Sequence, residues 1–340
     1  MMVFCLSRSP RRCVKARVAL EVLFVCSVAV FSIDLFADSH ADPLEIRNRS
    51  PIAQLYGLSG FRGERATAFE ARFDVSAANS FTAGSSGDEF VRLDGETAVF
   101  SYQLRKGFAA KFEAGVELPW VVHSGGRFDG LIDEFHDLFG FPDAGRPAVP
   151  RGELSYVIQA GAESSGGLTS KTSDLGDVRL WLGYELLASP LHDLVARLQL
   201  KLPTGTAADL SGSGATDIAL NLDYTHVLPW PGMSFSLGAG VVRLGRGNLL
   251  AQRQRRTLWT GHFGLNARVS SRVTLIGQLD AHAAPFDAQI SQLGEAVLQG
   301  TLGGRLRVTD RLDFQFAVVE DLVGSLAADV VFQFAIEGRL

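Results

Sequence analysis

The chain has 340 residues, 46% of them hydrophobic and 20% charged, with a formal net charge of −5. That acidic balance excludes nucleic acid as a partner, because phosphate binding needs a clustered basic face. Its three cysteines, Cys5, Cys13 and Cys26, all lie near the start, so the rest of the chain can form no disulfide framework or thiolate metal site. No cofactor is expected.

Arg8, Arg11, Arg12, Lys15 and Arg17 precede an apolar run, Val18–Phe36. Glu21 and Asp34 cut its uninterrupted core to Val22–Ile33, short for a membrane span and suited to the h-region of an export signal. Residues 1–37 are therefore predicted to be a signal peptide, cleaved after Ala37 or after Ala41; the alternative is a retained anchor. Residues 38–65 follow as a periplasmic segment. Within them Asn48–Gly60 is apolar enough to be ordered. It is expected to plug a lumen from the periplasmic side, with Tyr56 or Gln54 contacting charges there, or to cover the base of the fold.

From residue 66 to 340, segments of about ten residues alternate apolar and polar side chains, the pattern of a membrane barrel. In Ala68–Ser76, Phe69, Ala71, Phe73 and Val75 face one way, and Glu70, Arg72 and Asp74 the other. Glu96–Arg105, Lys111–Val122, Val178–Ala188, Asp193–Leu202, Asp217–Val227, Phe235–Leu244, Thr257–Val269, Val273–Ala283, Val297–Val308 and Leu312–Val319 repeat the pattern. Ala328–Leu340 is the last such strand. With Phe332, Phe334, Ile336 and Leu340 on one side, it resembles the closing strand of bacterial outer-membrane barrels. Arg105-Lys106-Gly107, Ala188–His192, Pro229–Gly232, Ser270–Arg272 and Thr309–Arg311 read as tight turns. Ala77–Glu89, His123–Asp177, Pro203–Thr216, Gly245–Arg256, Pro285–Ala296 and Glu320–Ala327 read as longer loops. Short and long connections alternate if residues 123–177 form one external excursion. The predicted fold is all-β: a single transmembrane antiparallel up-and-down barrel of about twelve strands. Leu154–Ala160 belongs to an external hairpin on this reading; counted as a spanning strand, it would point to fourteen.

The face opposite the apolar stripe carries the candidate lumen and solute residues: Arg72, Glu113, Glu117, Arg179, Glu185, Asp223, His262, Asp280, His282 and Arg305. Two readings stay open for them, a mutually neutralising packing of a narrow lumen or a path for an ion or solute. Phe128–Gly140 reads as a short amphipathic helix in the long loop, apolar through Leu131, Ile132, Phe135, Leu138 and Phe139. It is either packed on the rim or part of an external gate formed with His123, Asp129, Asp133, His136 and Asp137. His136 has no second ligand at i+4, so no metal site is expected. The Gly/Ser-rich stretch Asp209–Asp217 lacks the Lys-Ser/Thr ending of a phosphate loop. Ser124 has no histidine at comparable positions on the neighbouring strands, so a triad and enzyme activity are not expected.

Several segments are similar to an uncharacterised family of Gram-negative outer-membrane barrels catalogued as domain of unknown function 3187. They are Asn48-Arg49-Ser50-Pro51, Gln54–Leu58, His123–Gly126, Phe128–Ile132, His136-Asp137 to Gly145-Arg146, Leu202–Gly205 with Gly212-Ser213-Gly214 and Asp217, and Glu320-Asp321 with Asp329-Val330. Leu340 departs from the terminal aromatic common in barrels. The resemblance implies fold and location and supplies no activity. The expected role is to bind or pass a small solute in the outer membrane. The alternative is a structural or partner-docking barrel acting through its loops, and a lipid hydrolase at the rim is a third reading. Expected partners are outer-membrane lipids, lipopolysaccharide and the barrel-assembly machinery.

Overall fold

The computed structural model describes residues 42–58, 60–126, 152, 154–160 and 163–340. Its strands are β1 (Phe69–Ser86), β2 (Glu89–Phe108), β3 (Phe112–Ser124), β4 (Ser155–Ala160), β5 (Glu163–Leu168), β6 (Thr172–Leu175), β7 (Arg179–Ala188), β8 (His192–Lys201), β9 (Asp217–Val227), β10 (Met233–Arg243), β11 (Thr257–Arg268), β12 (Val273–His282), β13 (Val297–Thr309), β14 (Leu312–Val323) and β15 (Val330–Arg339). Twelve of them, β1 to β3 and β7 to β15, pair antiparallel with their neighbours in chain order. Phe73 of β1 meets Ile336 of β15, which closes the ring. The remaining three decorate one end. β4 pairs with Glu89–Asp94 of β2 and with β5, and β6 pairs with Trp120–His123 of β3. Residues 154–160 are thus an edge extension above the barrel, and the wall has twelve strands.

Twelve strands about 4.8 Å apart and tilted about 40° give a backbone radius of roughly 12 Å. Inward side chains reduce the bore to roughly the width of a two-stranded hairpin. Outward positions carry exposed large apolar residues all round, among them Phe73, Phe100, Leu118, Leu182, Leu220, Phe263, Leu302 and Ile336. A water-soluble protein would bury such a belt; a barrel turns it to lipid. At the short-turn end the belt becomes aromatic. Phe108, Phe112 and Tyr184 stack in series at 5.8 and 4.9 Å, and His192, Tyr224, His226 and Phe235 form a second cluster.

Two connections differ from expectation. Ala77–Glu89, read as a loop, continues β1 and β2 into a long hairpin paired out to Ser86 and Glu89. Its polarity concealed the strand, and two residues, Gly87 at φ +60° and Asp88, make the turn. At the other end β2 runs through Arg105–Gly107 to Phe108, and the turn falls on Ala109–Lys111. The predicted helix over 128–140 and the predicted leader lie outside the described residues. The helices described are a single 3-10 turn, Ala53–Leu55, and α1 (Ser291–Gly294).

Candidate functional site

Residues 42–66 run inside the barrel. The chain enters the short-turn end at Asp42 and passes along β12, β13, β15 and β1. There Leu44 N–H donates to Gln278 Oε1, Gln333 Nε2 donates to Glu45 O, and Asn48 Nδ2 lies 3.0 Å from His282 Nε2. It turns over at the long-loop end through Ser50–Tyr56 and descends along β7 to β11 and β3. On the way down Gly57 N–H donates to Asp217, Arg62 N–H to Asp223 and Ala66 N–H to Glu113. The ascent has a strand-like logic, with Leu44 and Ile46 alternating against Glu45, Arg47 and Arg49. Leu44 and Ile46 pack with Ile276, Ala317, Val319 and Val331 of the wall.

The wall is shaped for this segment. A Cβ on Gly238 would lie 2.3 Å from the Phe61 ring, and one on Gly303 would lie 2.8 Å from Leu44. Glycine at these two positions lets the backbone of β10 and of β13 serve as the contact surface. Phe61 also stacks at 5.4 Å on His262.

Charge dominates the middle of the lumen. Glu117 is wholly buried and faces Arg47 at 2.9 Å, Arg179 at 3.5 Å and Arg62 at 4.0 Å. Glu45 joins Arg47 to Arg62 at 2.6 and 2.7 Å, and Arg62 lies 4.0 Å over the Trp181 ring. Arg197 bridges Glu113 and Asp223 at 2.7 and 2.8 Å and donates to Glu64 O. Arg72 links Asp74 to Glu337, Arg49 reaches Asp74 at 3.7 Å, and Arg65 reaches Glu185 at 3.0 Å. Each segment arginine therefore meets a wall carboxylate. Burial opposes ionisation of Glu45, but Arg62 and Arg47 outweigh it and hold the carboxyl far below the usual range. Glu64 has the opposite balance. Burial, then Asp42 and Asp193, push it up to about 8.

The long-loop end is closed differently. Lys201 is fully buried, bonded to Asp177, to Ser213 Oγ at 2.7 Å and to Ala215 O at 2.9 Å. Asp177 and Asp217 also accept backbone N–H groups from Gly205, Ser213, Gly57 and Gly245, which draws the connections 202–216 and 244–256 inward. Leu210, held at φ 50°, drops into an apolar cluster. It meets Ile52, Leu55 and Tyr56 of the segment and Leu244, Leu249, Phe286, Ile290, Leu293 and Leu326 of the loops. A cavity of about 30 Å³, lined by Arg62, Arg72, Arg105, Arg305, Glu70 and Glu337, remains near the short-turn end. It has room for about one water molecule.

The predicted lumen residues all face inward, and most of them are spoken for. Arg305 lines the cavity. His262 Nδ1 lies 3.0 Å from Asp280 Oδ1, whereas His282 bonds Asn48 and Ala283 O and stands apart from that pair. His123, expected at an external gate, points into the barrel. It is fully buried between Thr97 Oγ1 and Leu210 O, with the Tyr156 ring edge-on at 5.5 Å. Asp129, Asp133, His136 and Asp137 lie outside the described residues. The segment passes through the lumen to its far end, beyond the base where Tyr56 was expected to touch charge. The Tyr56 ring packs edge-on against Phe286 at 5.7 Å, in the apolar cluster. Gln54 meets charge through its backbone, accepting from Arg179. Sequence reasoning missed Arg47, Arg49, Arg62, Arg65 and Asp177 as lumen residues. The alternation of residues 44–49 and the even spacing of the strand acids were the available signals.

A closed twelve-strand antiparallel ring, apolar outside and charged within, defines a β-barrel of the outer-membrane type. A family model described as a protein of unknown function (DUF3187) matches residues 18–339, and the chain belongs to that family. No curated protein sequence matches it. An outer-membrane channel from Pseudomonas putida F1 has a similar fold, at 13% identity over 82% of this chain and 97% of that one, with a TM-score of 0.53. The NanC porin aligns at 9% identity over 80% and 100%, TM-score 0.46. The toluene transporter TbuX of Ralstonia pickettii aligns at 13% over 88% and 95%, TM-score 0.39.

Proposed function

We propose that this protein passes a small solute across the outer membrane, through a lumen that residues 42–66 close by docking and open by withdrawing. The observation that carries the reading is the character of the docking. The segment is held to the wall by ion pairs, hydrogen bonds and the apolar packing of Leu44, Ile46, Ile52, Leu55 and Tyr56, all of them separable, while the ring around it is a complete backbone ladder that does not need it for closure. On this reading residues 1–37 direct export, residues 38–65 are a plug entering the lumen from the periplasmic side, and residues 123–177 lie outside the cell. The lumen residues Glu113, Glu117, Arg179, Glu185 and Asp223 hold the gate shut and line the path once it opens. The second reading, docking through the loops, has less support: the described loops at the long-loop end fold inward over the mouth.

The test is a reversible lock. Phe61→Cys with Gly238→Cys places two thiols where the Phe61 Cγ would stand 2.7 Å from a Cβ on residue 238, within reach of a disulfide. In planar bilayers, or in liposomes loaded with a small solute, the oxidised protein should be silent and the reduced protein should conduct. A barrel silent in both states, with the cysteines shown to be reduced and the protein folded, would sink the proposal.

A further inference from the structure

We propose that a phosphorylated lipid headgroup of the outer leaflet docks on the outside of the barrel against Arg243, Arg246, Arg255 and Arg256. The inference rests on how the outward face changes along β10 and β11. Val241 and Trp259 are cross-strand partners, both at least half exposed and both in the apolar belt. The next outward pair is Arg243 and Thr257, with Arg243 Nη1 donating to Thr257 Oγ1 at 2.9 Å. Arg255 continues the outward parity of Thr257 and Trp259, two residues further along. Arg246 and Arg256 are exposed in the connection between the strands, tied close by Leu244 N–H donating to Arg256 O. The surface thus passes from hydrocarbon-facing to strongly basic within one rung, about 7 Å along the strand. On the neighbouring strand, Ile218 pairs with Arg243 and extends the apolar floor together with Leu220.

The state of these arginines sets them apart. At the long-loop end, among the described residues, the other rim arginines are held by carboxylates: Arg92 by Asp94, and Arg253 by Asp88 and Glu89. In this group one ion pair is made, Arg255 to Asp287 at 3.7 Å, and Asp287 is itself 87% exposed. Four guanidinium groups against one solvated carboxylate leave an excess of positive charge at the edge of a lipid-facing belt. Guanidinium forks match phosphate oxygens bidentately, and clustered arginines beside a membrane surface read as a headgroup site. Trp259, half buried in the belt just below, is the side chain suited to the same interface. The ligand is therefore a lipid carrying phosphate on its headgroup, its acyl chains lying on Val241, Trp259, Ile218 and Leu220.

Native mass spectrometry of the full chain in detergent tests this against two probes, a diphosphoryl lipid A and the same glycolipid stripped of phosphate. The diphosphoryl form should be retained and the stripped form lost. Arg243→Gln, Arg255→Gln and Arg256→Gln together should lower retention at least tenfold. Arg307→Gln with Arg339→Gln, at the opposite end, should leave it unchanged. Equal retention by the triple variant, equal binding of the stripped lipid, or displacement of the lipid by inorganic phosphate at the same concentration would each overturn the proposal. Melting in lipid-free detergent reports whether the triple variant folds. If it does not, Arg243→Gln and Arg255→Gln are read singly, with about a threefold loss expected from each, and no loss from either overturns it. None of these readouts depends on whether the lumen opens.

Discussion

Glu117 is where the gate is most exposed to perturbation. Replacing it with Gln keeps the shape and removes one fully buried charge that faces two arginines of the docked segment, Arg47 and Arg62, and one of the wall, Arg179. Breaking a buried ion pair by removing one partner costs about 3–5 kcal/mol. Part of that cost falls on Arg179 whether or not the segment is docked, and water entering an open lumen relieves it. Assigning about 2 kcal/mol to the docking equilibrium, the withdrawn population should rise about thirtyfold. Single-channel recording gives the open fraction directly. Reactivity of a cysteine introduced at Phe61, which is buried in the docked state, gives it independently. Arg307→Gln, whose partner Asp313 lies away from the segment, is the control and should change neither. If Glu117→Gln opens no more often than the parent, the ion cluster does not hold the gate and the reasoning fails.

Two further predictions concern pH and topology. Docking raises the Glu64 carboxyl from 4.5 to about 8, so the docked state takes up the proton, and docking should weaken as pH rises between those two values. The open fraction should therefore increase from about pH 5 to about pH 9, and Glu64→Gln should flatten that profile; a steep profile persisting in the variant would reassign the titration to Asp42 or Asp193. A cysteine at Lys171, exposed near the long-loop end, should react with an impermeant thiol reagent on intact cells, whereas one at Arg311, in a short turn, should stay unlabelled until the outer membrane is permeabilised. The opposite pattern would invert the barrel.

The ring was legible because each wall strand repeats one physical rule. Lipid on one side and a polar lumen on the other impose a period of two, which Phe73, Phe100, Leu118, Leu220 and Ile336 display in a single sequence. The β1–β2 extension was hidden because it rises beyond the belt, where Asn79, Ser80 and Thr82 no longer alternate with large apolar residues. Inward orientation of the charged residues could be read from parity, but their partners could not. Which arginine faces Glu117 depends on the path of residues 42–66 through the bore, and no local pattern encodes a path. Gly238 illustrates the gap: in the sequence it resembles a weak point in a strand, and only the Phe61 ring against it explains the missing side chain.

The segment enters and leaves the lumen at the same end, with its apex reaching the other. A loop of this kind fills a tube without being threaded through it. It can be inserted or pulled back while the twelve-strand ring stays closed, so no strand has to part for it to move. The ring can therefore be completed first and stoppered afterwards. The order of events in biogenesis would then place Arg47, Arg62 and Phe61 among the last residues of the chain to find their partners, although they precede every strand in the sequence.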